Sequence, residues 1–170
     1  MTKCIAEPLS RRDIRGMARL IRKIDGSLNT PYFDIVRFLE IKLPKIDSGF
    51  HFVVDTIEEM GECHGLTYPD RNEIHIREDV YNRAVARSGR DRLTMAHELF
   101  HLLQHERRNI SFARTGSGEV EIFRDPEWQA DAFGGELLMP YYLIRGMEAN
   151  EVCKHCGVSM KAASYQLKKV

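Results

Sequence analysis

Two histidines four residues apart bracket a glutamate in the stretch TMAHELFHLLQH, Thr94 to His105. Residues four apart on an α-helix project from one face, one turn from each other. His97 and His101 can therefore aim two imidazole nitrogens at one point, and a zinc ion accepts such nitrogens at about 2.0–2.1 Å. Glu98 stands beside them, slightly off that axis. A carboxylate placed there takes a proton from metal-activated water instead of binding the metal, which is the division of labour in the HExxH arrangement. The competing reading is a pair of core histidines satisfied by hydrogen bonds. Leu93, Met95, Ala96, Leu99, Phe100, Leu102 and Leu103 cover most sides of this helix, so the pattern predicts a buried one.

Two histidines leave zinc short of a third protein ligand. Downstream, EWQAD lies on a helix opened by the cap-and-proline signal Asp125-Pro126. Glu127 is the candidate third ligand. Asp131, one turn on, is placed to accept a hydrogen bond from the outer nitrogen of a ligating histidine and so fix its tautomer. Without a metal the two are ordinary acids near a helix N-terminus, where such residues are expected. His105 continues the histidine spacing but sits ~12 Å along the axis from His97, so it reads as structural or as a support to the ligands.

These residues need elements to hold them. Ser10 with Asp13 predicts a helix N-terminus, Ile14, Met17, Ala18, Ile21 and Ile24 follow at helical spacing, and Gly26 marks the stop. Arg11, Arg12, Arg15, Arg19, Arg22 and Lys23 are assigned to the opposite, basic face. Thr30-Pro31 predicts a second helix ending before Pro44. The period then changes. FHFVVD predicts a strand, and GLTYP and EIHI flank the turn signal PDRN as a hairpin. A helix follows from Asp79 to about Arg87, broken by Ser88-Gly89, and then comes the HExxH helix, from about Arg90 to Glu106. Residues 109–124 read as a loop with a short strand, Asp125 opens a helix running through Met139, and Ser159 caps a last one. Helices, then a small sheet, then helices imply an α+β class.

Length and composition fit one domain over residues 1–170, an N-terminal helical segment at 1–45 and a core at 50–170, large enough to need no disulfides. No signal-peptide pattern and no run of ~18 apolar residues is present, which predicts a cytoplasmic protein with reduced thiols and no membrane partner. The zero net charge is unevenly spread: residues 1–30 carry seven Lys/Arg against three Asp/Glu, and residues 55–79 carry eight Asp/Glu against two Arg. The basic helix, with Arg11, Arg12, Arg15, Arg19 and Arg22, is thus the candidate surface for phosphates, single-stranded DNA among them; the plainer reading is a solvated face. Cys153 and Cys156, in CKHC, make only half of a structural zinc site. GVSMKAASYQL resembles part of a helix-turn-helix but lacks a convincing preceding helix, so it reads as packing.

The segments RDRLTMAHELFHLLQH and EWQADAFGGELLMP resemble the ImmA/IrrE-type zinc metallopeptidases, the M78 family. The resemblance extends upstream to GLTYPDRNEIHIREDVYNRA and downstream to GVSMKAASYQL, about residues 60–168. It implies a zincin-like core, with a small, mostly antiparallel sheet packed on the HExxH helix and extra helices at both ends. It implies His97, His101 and Glu127 as ligands of one Zn2+ and Glu98 as general base. Many members carry Asn where this chain has Asp131, and Asp is the better acceptor. Members cleave helix-turn-helix repressors in mobile elements, stress responses and anti-phage defence operons, often after DNA damage. As a short member of this kind, the chain resembles the CapP-type peptidases, which are paired with such a repressor. The expected function is cleavage of a specific regulatory protein. The alternative is a non-proteolytic zinc-containing protein that regulates by binding a repressor or nucleic acid.

Peptide hydrolysis also needs a donor for the developing oxyanion. Tyr68, His75 and Tyr141 are the candidates, and hairpin or helix packing is their plainer role. Cys63, in GECHG ahead of the hairpin, is a candidate inhibitory ligand: a thiolate on the metal would take the water's place. Otherwise it is a free loop thiol.

Overall fold

The computed structural model describes residues 5–105 and 121–170. The first helix, α1 (Arg11–Asp25), begins and ends where its sequence directs. The Ser10 hydroxyl accepts from the Asp13 N–H at 3.2 Å, and the Asp13 carboxylate accepts from the Ser10 N–H at 3.0 Å. Gly26 closes the helix at φ 83°, a left-handed turn that only glycine adopts freely. Thr30-Pro31 starts no helix. Residues 30–33 run outside regular structure, and the next helical stretch is α2 (Ile35–Arg37), a π-helical turn (Phe38–Lys42) and α3 (Leu43–Ile46). The reason is tertiary: the buried Arg22 guanidinium takes the carbonyls of Thr30 and Pro31, and buried Arg92 takes that of Phe33. Capping passes to Asp34, which accepts from the Arg37 N–H. The stretch also runs past the predicted stop: Pro44 lies inside α3, directly after the π-helical turn, and the helical path ends at Ile46.

Strands β1 (His51–Asp55), β2 (Gly65–Tyr68) and β3 (Glu73–Arg77) form one sheet in the order β1-β3-β2. The hairpin is as predicted, with a 3-10 turn at Pro69–Arg71 and Asn72 at φ 55°. The sheet is mixed rather than mostly antiparallel: β2 pairs antiparallel to β3, and β1 pairs parallel to it. The chain leaves β1 through the short α4 (Ile57–Met60), lays down β2, and returns with β3 beside β1 in the same direction.

Among the described residues six more α-helices follow: α5 (Glu78–Val85), α6 (Gly89–His105), α7 (Pro126–Leu138), α8 (Tyr141–Ile144), α9 (Ala149–Cys156) and α10 (Met160–Leu167), with a 3-10 turn at Ile122–Arg124 ahead of α7. The expected loop and short strand after α6 lie, at residues 106–120, outside the described residues. Helix α6 is central, packed on α7, β2, β3 and α5. Its Met95, Ala96, Leu99 and Phe100 meet Ile74 and Ile76 of β3 and Phe133 of α7 in one core. Alternation along β3 puts Ile74 and Ile76 on the α6 side and Glu73, His75 and Arg77 on the other. Helix α9 and the left-handed turn at Gly157 supply the preceding helix that the tail lacked in the sequence reading. The tail also packs, through Ala163 and Gln166 of α10. No helix among the described residues is long and apolar enough to cross a membrane.

Candidate metal centre

Helix α6 presents His97 and His101 on one face, and the first turn of α7 presents Glu127 across from them. Asp125 caps α7 by accepting from the N–H groups of Glu127 and Trp128, which fixes the turn that carries the carboxylate. The Nε2 atoms of His97 and His101 lie 2.9 Å apart. Glu127 Oε2 is 3.2 Å from the first and Oε1 is 3.4 Å from the second. Three donors bound at zinc distances sit about 3.3 Å from one another on a tetrahedron, and both imidazole nitrogens and the Glu127 carboxylate, one oxygen towards each, converge on that scale. Among the described residues, these three form the one group of His, Cys, Asp and Glu donors close enough to hold a metal ion.

The surrounding hydrogen bonds fit the same reading. Asp131 Oδ1 lies 2.8 Å from His97 Nδ1, so the outer nitrogen has its acceptor and Nε2 faces the cluster, where a metal would displace its proton and take the lone pair. Burial opposes a charged His97, but its bonds to Asp131 and Glu127 outweigh that and raise its pKa to about 10. Glu127 is held below the usual carboxylate range by the same His97 bond, and burial pushes His101 down. The cluster therefore asks for one positive charge between His97 and Glu127, and a bound cation supplies it. The residues fit a single divalent ion.

Glu98 is not in the triangle. Its side chain points to β2, where the Thr67 hydroxyl meets Oε2 at 2.7 Å and the Glu98 carbonyl at 3.0 Å. Burial raises its pKa, and the Thr67 bond pulls it back in part. Gly65, two residues before Thr67, leaves room for the same side chain: a Cβ there would sit 2.7 Å from Glu98 Cγ. Sequence reasoning missed both residues, although the signal was present. GLTY runs opposite EIHI, so Gly65 and Thr67 share the face of Ile76 and Ile74, towards α6.

The same alternation corrects the oxyanion candidates. His75 lies on the far face of the sheet, between Asp55 (Nδ1 to Oδ2, 2.5 Å) and Glu73 (Nε2 to Oε2, 3.0 Å). Tyr68 lies with it, edge-on at 4.9 Å. Tyr141 follows the end of α7, ~16 Å along that helix from Glu127, with the Arg15 guanidinium 4.4 Å from its ring centre. None of the three faces the metal donors. Cys63 is exposed in the turn after α4 and does not belong to the donor cluster.

The basic face of α1 is corrected as well. Arg22 is fully buried and donates to the Leu137 carbonyl at 2.6 Å. Arg11 and Arg15 turn inward to the buried Glu136 carboxylate, at 3.0 and 3.1 Å. Arg12 and Arg19 stay exposed, Arg19 lying over Tyr142. Three of the five arginines are thus committed to the interior. CKHC lies within α9, where burial raises the Cys156 thiol to about 11, which disfavours the thiolate a metal needs.

A His-His-Glu donor set beside a buried glutamate, drawn from two packed helices and backed by strand β2, defines a metallopeptidase-like site. The comparison with known proteins agrees. The Peptidase_M78 profile, described as an IrrE N-terminal-like domain, matches residues 58–168, and the chain belongs to that peptidase family. No curated protein matches it. Among solved structures it is similar to a Mycobacterium tuberculosis transcriptional regulator, with a TM-score of 0.62 and 15% identity over 92% of this chain. That likeness is one of fold, and this chain spans 46% of the regulator's length.

Proposed function

We propose that this chain is a zinc-dependent endopeptidase that cleaves a specific regulatory protein, a helix-turn-helix repressor. The observation that carries the reading is Glu98: a buried carboxylate, held by Thr67, next to three convergent donors on His97, His101 and Glu127. A protein that only binds has no chemical need for that fourth group. The zinc ion, when bound, polarises a water molecule and the scissile carbonyl. Glu98 accepts the water's proton and delivers it to the leaving amine nitrogen. Asp131 keeps His97 in the tautomer that turns Nε2 inward. Strand β2 has a strand neighbour only on its β3 side among the described residues, so an extended substrate segment can pair along its other edge, beside Glu98. A target must then present a flexible stretch, which accounts for selectivity.

The repressor as substrate is supported by the family and by the printed description of the structural neighbour as a transcriptional regulator. Cys63, Cys153 and Cys156 are free thiols, in keeping with a cytoplasmic setting. The α9–Gly157–α10 pair favours the second reading, regulation by docking without cleavage. The two are separated by incubating wild type and Glu98→Gln with a candidate helix-turn-helix repressor from the same genome and reading intact mass. A defined cut by wild type alone establishes the peptidase. Binding without a cut, with zinc present, establishes the docking protein.

A further inference from the structure

Resting on the peptidase reading, we infer that Gly65 and Thr67 of β2 form the seat of Glu98 and decide which of its two carboxylate oxygens works. Thr67 is a positioning residue: its one hydroxyl proton has two acceptors in reach, Oε2 at 2.7 Å and the Glu98 carbonyl at 3.0 Å, and the shorter contact to Oε2 ties the tip of the side chain to β2. With Oε2 held by Thr67, Oε1 is the oxygen left to take the proton. Gly65 shapes the other side. A Cβ at that position would come 2.7 Å from Glu98 Cγ and 3.0 Å from Oε1, which forces the carboxylate to shift. The seat is built by strand parity alone. Residues 65 and 67 pair with Ile76 and Ile74, the two β3 residues that face α6. The strand that supplies it is also the edge proposed to receive substrate. A misplacement of about 1 Å in a reacting group can cost ~100-fold in rate, so a seat of this kind controls turnover rather than affinity.

The test uses the full-length, zinc-loaded protein with Thr67→Val, Thr67→Ser and Gly65→Ala. Valine keeps the β-branched shape and loses the hydroxyl. Each variant is measured for zinc content, kcat and KM on the repressor, and the position of Glu98 in a crystal structure. The expected result for Thr67→Val is a kcat lower by about 10- to 100-fold, KM within about twofold, full zinc content and a displaced Glu98 carboxylate. Thr67→Ser restores both rate and position. Gly65→Ala moves the carboxylate from the opposite side, with the same loss in kcat and zinc retained. The inference is overturned if Thr67→Val leaves Glu98 in place, keeps a wild-type kcat or loses its zinc. It is also overturned if Gly65→Ala leaves Glu98 where it was. If wild type cuts no repressor, the peptidase reading fails, and the crystal structures still decide the seat.

Discussion

Replacing Asp131 by alanine should weaken zinc binding by about tenfold without moving a ligand. Asp131 touches no metal donor site directly; it accepts from His97 Nδ1 at 2.8 Å on the side away from the cluster. The triangle of His97, His101 and Glu127 is built by α6 and by the cap of α7, and neither needs the Asp131 side chain. What alanine removes is the bond that orients the ring and makes Nε2 more electron-rich. Removing such a partner costs roughly 10- to 100-fold in metal affinity. The Asp131 side chain is 78% exposed, so solvent screens the bond and the lower end applies, about 1.4 kcal/mol. Asparagine keeps an acceptor oxygen and loses the charge, so Asp131→Asn should fall between the two. The assay is competition with a chromophoric chelator at fixed pH, with thermal melts confirming the fold. An alanine variant within twofold of wild type, or an asparagine variant as weak as alanine, would refute the reasoning.

The Asp55–His75–Glu73 clamp predicts a pH effect away from the metal. Burial works against a charged His75, but the two carboxylates raise its pKa above the ordinary 6.5. Its contribution is therefore fully present below about pH 6.5 and fades as the pH rises through the elevated folded value. The gap in urea midpoint between wild type and His75→Gln should narrow steadily above neutrality, and a constant gap would count against the clamp. Arg92→Met leaves the carbonyls of Phe33, Cys156 and Gly157 without their buried donor. At about 1–3 kcal/mol for each orphaned group, offset in part by relief of an unpaired buried cation, the urea-derived stability should drop by about 3 kcal/mol or more. A loss below about 1 kcal/mol would mean that water replaces the guanidinium. Zinc at ~100 times its Kd should add about 2.7 kcal/mol to stability. Glu127→Ala should lose most of that gain, read as the zinc-dependent shift in Tm.

The grouping of His97, His101 and Glu127 into one candidate site was legible because its signals are local. Four-residue spacing put His97 and His101 together, and Asp125-Pro126 placed Glu127 on the first turn of its helix. The oxyanion candidates Tyr68 and His75 turn away by parity: Ile74 and Ile76 alternate with Glu73 and His75, so the far face could have been read from EIHI itself, whereas Tyr141 lies beyond the end of α7. The basic helix failed on a habit of sorting by charge. Ala18 and Arg22 stand at successive four-residue steps from the buried Ile14, which places the guanidinium beside the apolar stripe. The path of residues 30–33 had no local signal at all. Two guanidinium groups from α1 and α6 hold that stretch by its carbonyls, and only the assembled fold brings them together.

The family resemblance covers residues 58–168, yet the chain before it is woven into that span. Strand β1 shields one side of β3, Arg11 and Arg15 hold the 1%-exposed Glu136 side chain, and the backbones of Ala6 and Leu9 tie to Arg124 and Phe123 just ahead of α7. A chain cut to the matched span would present a bare, adhesive strand edge and maroon a carboxylate without its cations. What looks like the portable enzyme is a module that cannot travel without its preface.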